Sequence, residues 1–572
     1  MKKIFNYIGI VALIVGFYSC DNLFSPMDEN LVSEAYATTD PASAEGILAN
    51  AYTSVISQYT FTCTATDDAV SNQLSNGYRR MATGELTAIY NPLSRWGQYT
   101  SIFYVNRFLS IMDKVTWMKD TTLNVLFARR MRGEALALRA LHHSYLLENF
   151  AGKDNAGKLL GISYFTEFIE PNGDFNKPRL SFEETVTKIM ADYDAAFSLL
   201  PYIYSDKATD IPAKDAGYNV NAYLTVNGTK YDQRLNGKIV RALQARLKLF
   251  AASKAFLDSP VSYKEAATYA TTVLTGYTLA TDGVEFYNAD NDNVNPEVLW
   301  RQTVSSNSTQ ELNNFPPSLN GNGNVNPTQN LVNAFYMSDG YPVGKSPTKI
   351  YNPQLPYANR DARLAKYIVF NGGTIGSTVI NTTALDTKNG VNAVAEQSTR
   401  TGYYLKKLLR PDVIIPASGT PVAKNHFNVY IRCTELFLIL AEAQNELGGQ
   451  DYKEGTSTLS AKDILRAIRK RAMALATDPY LDAISSKTEM RTLIQNERRL
   501  ELCFEGFRFW DLRRWGLPLN ESATGYYDNG TGAGYQPIDV EQRSFSQEKH
   551  RYLPLPYNEI RKYSNLVQNA GW

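Results

Sequence analysis

Histidine is nearly absent from this chain, with four in 572 residues. His142, His143, His426 and His550 form no HExxH and no doublet with a nearby acid, which removes the common zinc-hydrolase template. Cysteine is equally scarce: Cys20, Cys63, Cys433 and Cys503 include no CxxC, so a thiolate zinc or redox centre is not expected. Excess charge is lacking too. Lys and Arg total 58 against 57 Asp and Glu, a net charge of +1, which gives nucleic acid no basic face to hold. No GxSxG, P-loop or dinucleotide fingerprint occurs. The apolar run at residues 8–17 is far shorter than the roughly 20 residues of a membrane span. Aromatics are plentiful, with 37 Tyr and 25 Phe, and they exclude wholesale disorder.

That apolar run follows Lys2 and Lys3 and ends at Ser19-Cys20, the layout of an export signal. Residues 1–19 are read as a lipoprotein signal peptide, with Cys20 acylated as the mature N-terminus. Three cysteines then remain, an odd and widely spaced set that does not make a disulfide framework. Cys433 and Cys503 stand in apolar helical sequence and are expected in the core.

The rest reads as helices between polar loops. Asp40-Pro41 supplies an N-cap and a first-turn proline. The segments opening at Ser181, Ser262 and Ser486 each carry Glu three positions on, the capping-box spacing. Pro201 closes the helix that Ser181 opens. In residues 123–150, Phe127, Met131, Ala135, Leu138 and Tyr145 form one stripe, and Leu136, Ala140 and Leu147 a second. Ile239, Leu243, Leu247 and Phe250 are likewise flanked by Val240, Ala245 and Leu249. Helices apolar on two sides lie between neighbours, as stacked hairpins require. Residues 238–275 read as one such hairpin, broken at Ser259-Pro260. The expected fold is mainly α, a degenerate tetratricopeptide-type scaffold with an irregular loop-rich region. Stretches 207–237, 305–330, 371–402 and 520–551 exceed the usual connection of roughly 4–6 residues and point to function. Residues 298–304 and 367–370 suggest short strands.

Residues 496–516, NERRLELCFEGFRFWDLRRWG, are the densest charged and aromatic stretch. Glu497, Glu501 and Glu505 recur at i, i+4 and i+8, as on one helical face. Arg498–Glu501, Glu505–Arg508 and Asp511–Arg514 have ion-pair spacing. Charges among Phe504, Phe507, Phe509, Trp510 and Trp515 must be paired, so a structural clasp is expected rather than an active site.

This stretch closely resembles the signature of the SusD/RagB family, lipid-anchored glycan-binding partners of TonB-dependent outer-membrane transporters. The resemblance continues through LALRALHHSYLLENF, GKIVRALQARLKLFAA, PTQNLVNAFYMSDG, NRDARL, YIRCTELFLILAEAQNE, YLPLPYNEI and the final NAGW, in family order over nearly the whole mature chain. It implies residues 20–236 and 237–572 packed as one body, with no catalysis and no cofactor. It also implies a SusC-like TonB-dependent transporter as partner and an outer-membrane location facing the exterior. The expected role is oligosaccharide capture and delivery. The alternatives are oligopeptide capture, as in the RagB-like branch, and a surface glycoside hydrolase.

Glycan binding needs aromatic faces for sugar rings, with amides, carboxylates or guanidinium groups for hydroxyls. Two loops have that mixture. Residues 67–96 hold Asp67, Asp68, Asn72, Tyr78, Arg79, Arg80, Tyr90 and Trp96. Residues 305–326 hold Asn307, Phe315, Asn320 and Asn322. Asp67, Asp68, Tyr78, Arg79, Arg80, Trp96, Asn307, Phe315 and Asn320 are the candidate ligand contacts, and no metal ligands are expected.

Cys20→Ser is expected to leave the fold intact and move the protein from the membrane to the soluble fraction, because acyl chains anchor at about 0.8 kcal/mol per buried methylene. Fractionation of cells lacking the partner transporter checks this. A variant that stays with the membrane there refutes the anchor.

Overall fold

The computed structural model describes residues 34–57, 60–279, 287 and 295–572. The expected signal peptide and Cys20 lie outside the described residues. In the N-terminal half run α1 (Pro41–Thr53), α2 (Gln98–Ile111), α3 (Thr121–Phe150), α4 (Phe182–Leu199), α5 (Gly237–Ala252) and α6 (Pro260–Leu274). After them come α7 (Thr309–Asn314), α8 (Cys433–Gly448), α9 (Ala461–Met473), α10 (Lys487–Glu501) and α11 (Arg508–Trp515). Each of the long helices packs on the next: α1 on α2, α2 on α3, α3 on α4, α4 on α5, α5 on α6, α6 on α8, and α8 on α10. The fold is therefore mainly α, a tetratricopeptide-like series of helical hairpins.

The sandwiching explains the two stripes of α3. It lies between α2 and α4 and buries Phe127, Met131, Ala135, Leu138 and Leu147. Gly133 permits the close approach of the α4 terminus, where an added Cβ would lie 2.8 Å from Leu200 Cγ. Local signals set several ends. Asp40 accepts from the Ser43 amide at 3.1 Å, and Ser486 and Glu489 complete a reciprocal capping box. At α6 the expectation was misplaced. Ser259 is the N-cap, Pro260 is the first helical residue, and Ser262 only donates its amide to Ser259.

The strands are short and antiparallel. Those used below are β1 (Ala69–Ser71), β2 (Val298–Arg301), β3 (Ser305–Asn307), β4 (Val325–Pro327), β5 (Lys424–His426), β6 (Val429–Arg432), β7 (Ala523–Asp528) and β8 (Tyr535–Glu541), and the strand expected at 367–370 forms at Ile368–Val369. β1 pairs with β4, β2 with β6, β3 with β5, and β7 with β8. All four long loop stretches contain ordered elements: 520–551 holds the β7–β8 hairpin, 207–237 a short helix, Val220–Asn227, 305–330 β3, α7 and β4, and 371–402 a small hairpin of Thr374–Ile375 with Thr378–Val379.

The C-terminal clasp is buried, but its pairing is not local. α10 ends at Glu501, and Phe504 and Gly506 adopt positive φ of 65° and 82°. That bend removes Glu505 from the helical face of Glu497 and Glu501. Of the three expected i, i+3 pairs, the structure forms Arg514–Asp511, at 2.7 Å. Arg498 turns instead to Asp511, at 2.8 Å. Glu501 is held by Arg363 at 3.0 Å and by Arg471. Glu505 takes Lys407 at 2.6 Å and Arg432 at 2.8 Å. Arg508 reaches back to Asp67 at 2.7 Å. Arg363, Lys407, Glu497 and Glu501 are all fully buried. Cys63, Cys433 and Cys503 are buried free thiols.

Two outcomes follow from this packing. Trp510 is 8% exposed, with the Arg95 guanidinium 4.5 Å over its ring. Trp510→Ala is therefore expected to cost roughly 3–5 kcal/mol in denaturant unfolding, with ligand affinity unchanged in the folded fraction. Burial opposes ionisation of Glu501, yet Arg471, Arg363 and Arg432 hold its carboxyl down at about 2, below the ordinary 4.5. Glu501→Gln should lower stability by roughly 3–5 kcal/mol at neutral pH. Because the folded pKa is depressed, this contribution is complete above the ordinary value and is lost as pH falls toward about 2. Urea melts of both proteins from pH 7 downward read it as a gap that narrows below about pH 4.5; a gap constant down to pH 3 refutes the pairing.

Candidate functional site

The two loops singled out in the sequence meet. β1 pairs in register with β4, Ala69 opposite Pro327 and Ser71 opposite Val325. Beyond the ladder, the Asn72 amide donates to Asn324 O at 3.3 Å and its side chain to Asn322 O at 2.9 Å. The following residues turn outward. Leu74 is 65% exposed, and its amide donates to the Glu396 carboxylate at 2.7 Å. Gln73 also bonds to the Glu396 backbone carbonyl. Stretch 371–402 thereby forms a third wall beside the two predicted loops.

Charge gathers behind this amide-rich face. Glu541, at the end of β8, accepts from Arg79 at 3.1 Å and Arg400 at 2.6 Å, and also pairs with Arg543. Arg79 donates to Asn72 O at 3.2 Å, and Arg400 to Ser71 O at 3.0 Å. Burial and the neighbouring Arg400 charge hold the Arg79 guanidinium below its ordinary value, against the pull of Glu541. Three guanidinium groups share one carboxylate, and Arg79 and Arg400 remain partly open to solvent. Guanidinium donors beside Gln73, Asn322 and Asn324 can hydrogen-bond hydroxyl oxygens. Arg400, Glu396 and Glu541 were not legible as site residues, because each comes from a segment hundreds of positions from β1.

The other candidates separate. Asp67 and Asp68 are corrected outright: they are 4% and 0% exposed, so their carboxylates do not face a ligand. Asp67 is paired by Arg508 and Arg499, and Asp68 by Arg499 at 2.6 Å. Burial opposes its ionisation, but the two guanidinium groups hold Asp67 well below the usual carboxylate range. Phe315 is likewise a core residue, 2% exposed. Asn320 is exposed in a left-handed turn, φ 60°, and donates to Ile415 O at 2.8 Å. Tyr78 is half-buried against the cluster of Met81, Leu86 and Trp510. Arg80 pairs with exposed Glu85 and lies 4.6 Å from the Tyr90 ring.

Trp96 belongs to a different cluster from Tyr78. Its ring meets Tyr99 and Phe150 edge-on at 4.9 and 5.4 Å. It lines an aromatic cavity of about 110 Å³ with Phe103, Phe165, Tyr563 and Leu566. Tyr78 and Trp96 therefore do not form one stacking platform. Asn307 lies on β3, at a separate polar cavity. No group of three His, Cys, Asp or Glu suited to a metal ion occurs among the described residues.

Comparison with known proteins agrees with this architecture. Residues 296–572 match the model of the SusD family, and residues 28–225 match one described as starch-binding, associating with the outer membrane. A SusD-like protein of Formosa agariphila, P2, is 32% identical over 142 residues, 24% of each chain. This chain thus spans about a quarter of the length of that curated relative. A crystal structure of a SusD-like protein from Bacteroides fragilis superimposes with a TM-score of 0.73 at 21% identity, covering 93% of this chain and 97% of that one. A laminarin-binding SusD-like protein gives a TM-score of 0.59 at 20% identity, over 93% and 99% of the two chains. Surface glycan-binding protein A from Bacteroides fluxus gives 0.61 at 16% identity, over 93% and 100%. With one model covering the C-terminal half, a second covering most of the N-terminal region, and a shared fold across nearly its whole length, the chain belongs to the SusD family.

Proposed function

We propose that this protein captures oligosaccharides at the outer surface of the cell and passes them to a SusC-like TonB-dependent transporter, held to the outer membrane through an acylated Cys20. The observation that carries the reading is the convergence of two separately recognised loops at β1–β4. Amides from both loops lie there beside the Arg79–Glu541–Arg400 cluster. The family description of starch binding and outer-membrane association supports it, as do solved relatives named for laminarin and surface-glycan binding. The role is binding without turnover. A glycosidase needs two carboxyl groups facing each other across a cleft, and Asp67 and Asp68, the adjacent acids that the sequence offered, are instead committed to Arg499 and Arg508.

Gln73→Ala with Arg79→Ala is expected to weaken binding of the cognate oligosaccharide by about tenfold or more, since a few central contacts dominate a small interface. Trp96→Ala should leave that affinity unchanged, and the double variant should still co-purify with the transporter, whose interface is far larger. Titration calorimetry with starch- and laminarin-derived oligosaccharides, alongside a peptide panel, checks the reading. Retained affinity in a folded double variant moves the site elsewhere. Binding of peptides and no glycan overturns the substrate class.

A further inference from the structure

The two-stranded ribbon formed by β2–β3 and β5–β6 is interrupted at its middle. β2 pairs with β6 and β3 with β5, while the ladder lapses between the two pairs. The strands stay joined there through the Gln302 amide and Asn428 O, at 2.9 Å, and the two side-chain amides meet at 2.7 Å. A cavity of about 250 Å³ opens at this break. Gln302, Ser305, Asn307, Gln310, His426 and Asn428 give it a polar wall, and the buried Phe427 lies at its base.

Two further features mark it as a built site. Leu408, also on the wall, is held at φ 72°, a left-handed conformation that a leucine rarely adopts. Such strain concentrates at functional positions. Behind the wall, fully buried Glu311 accepts from His426 Nε2 at 2.9 Å and from the Arg410 amide at 2.8 Å, while its Oε2 lacks a hydrogen-bond partner. His426 Nδ1 faces Lys424 O at 2.8 Å. Both ring nitrogens of His426 are thus engaged by the protein, and the wall that remains for a ligand is built of neutral amides and hydroxyls.

We propose that this cavity is a second saccharide site, which holds one neutral sugar ring and is separate from the β1–β4 face. Side-chain amides both donate and accept, as sugar hydroxyls do. The volume falls below the roughly 300–1,000 Å³ of sites for larger ligands, so it fits one ring rather than a chain. No carboxylate lines the cavity that a cation would need. The two sites stand at opposite ends of α7. Thr309 and Gln310 line the cavity, while Leu312 O and Asn313 O accept from Asn322 and Asn324 on the β1–β4 side, both at 2.9 Å.

The test uses the full folded chain and saturation-transfer difference spectra with the methyl pyranosides of glucose, galactose, mannose and xylose. At least one should give a signal that survives Arg79→Ala. The signal should fall about tenfold in Gln302→Ala/Asn428→Ala, which removes the paired amides. It should fall as far in Thr309→Trp, which fills the cavity from an exposed position. Thermal melts matching the wild type establish that both variants are folded. A signal that persists in both, or no pyranoside signal from the wild type, overturns the second site. Calorimetry of the Gln73/Arg79 variant reads the β1–β4 face independently, so failure of one assignment does not imply failure of the other.

Discussion

Pairing of guanidinium and ammonium groups with carboxylates away from water is the constraint on which this architecture rests. Arg363, Arg432, Arg469 and Lys407 are buried together with Glu297, Glu497, Glu501, Glu505, Asp361 and Asp478, and the Arg471 side chain joins them from the edge. An ion moved out of water and left single is penalised by several kcal/mol, so every member depends on its partners being in place. Arginine suits the task because its rigid planar fork fixes directions as well as charge. Arg432, for example, spans Glu297 at 2.9 Å and Glu505 at 2.8 Å and also donates to Glu501 O. The lattice thereby sets the angles at which β6, α9, α10 and the bend before α11 meet. Apolar packing alone would leave those angles less defined.

The β1–β4 face inherits its position from this lattice. Arg499 and Arg508, on either side of the α10–α11 bend, hold Asp67 and Asp68, immediately before β1. Arg543 then grips Thr66 O at 2.6 Å and Ala69 O at 2.7 Å. The base of the face is fixed by buried charge, while Gln73, Leu74 and Glu396 lie on its open rim. A rigid footing beneath adaptable loops is the common construction of recognition surfaces.

Much of the scaffold was legible in the sequence because its causes are local. Two apolar stripes marked the sandwiched helices, and serine–glutamate spacing marked the start of α10. Ser262 misled because the same spacing occurs one turn inside a helix already opened by Ser259 and Pro260. The i, i+3 pairs of the clasp misled because Gly506 and Phe504 bend the chain out of helical register. Asp67, Asp68 and Phe315 occur in loop-like sequence, where nothing local signals that they are buried. Of the site, Asn72 and Arg79 stood in a recognisable amide- and arginine-rich stretch. Arg400, Glu396 and Glu541 acquire meaning only when the third dimension brings two distant segments, 371–402 and 520–551, to β1.

The separation between Asp67–Asp68 and their arginines has a temporal consequence. The bonds from Arg499 to Asp68 and from Arg508 to Asp67 join residues 431 and 441 positions apart. A ribosome makes the aspartates long before either arginine exists, and domains otherwise tend to assemble from the N-terminus onward. Closing such wide loops is the slow part of folding, since chain entropy is lost before the contacts form. The helical hairpins can form as they emerge, but β1 waits for the end of the chain. A truncated molecule would carry its scaffold without a finished β1–β4 face, which would settle only after α11 had docked.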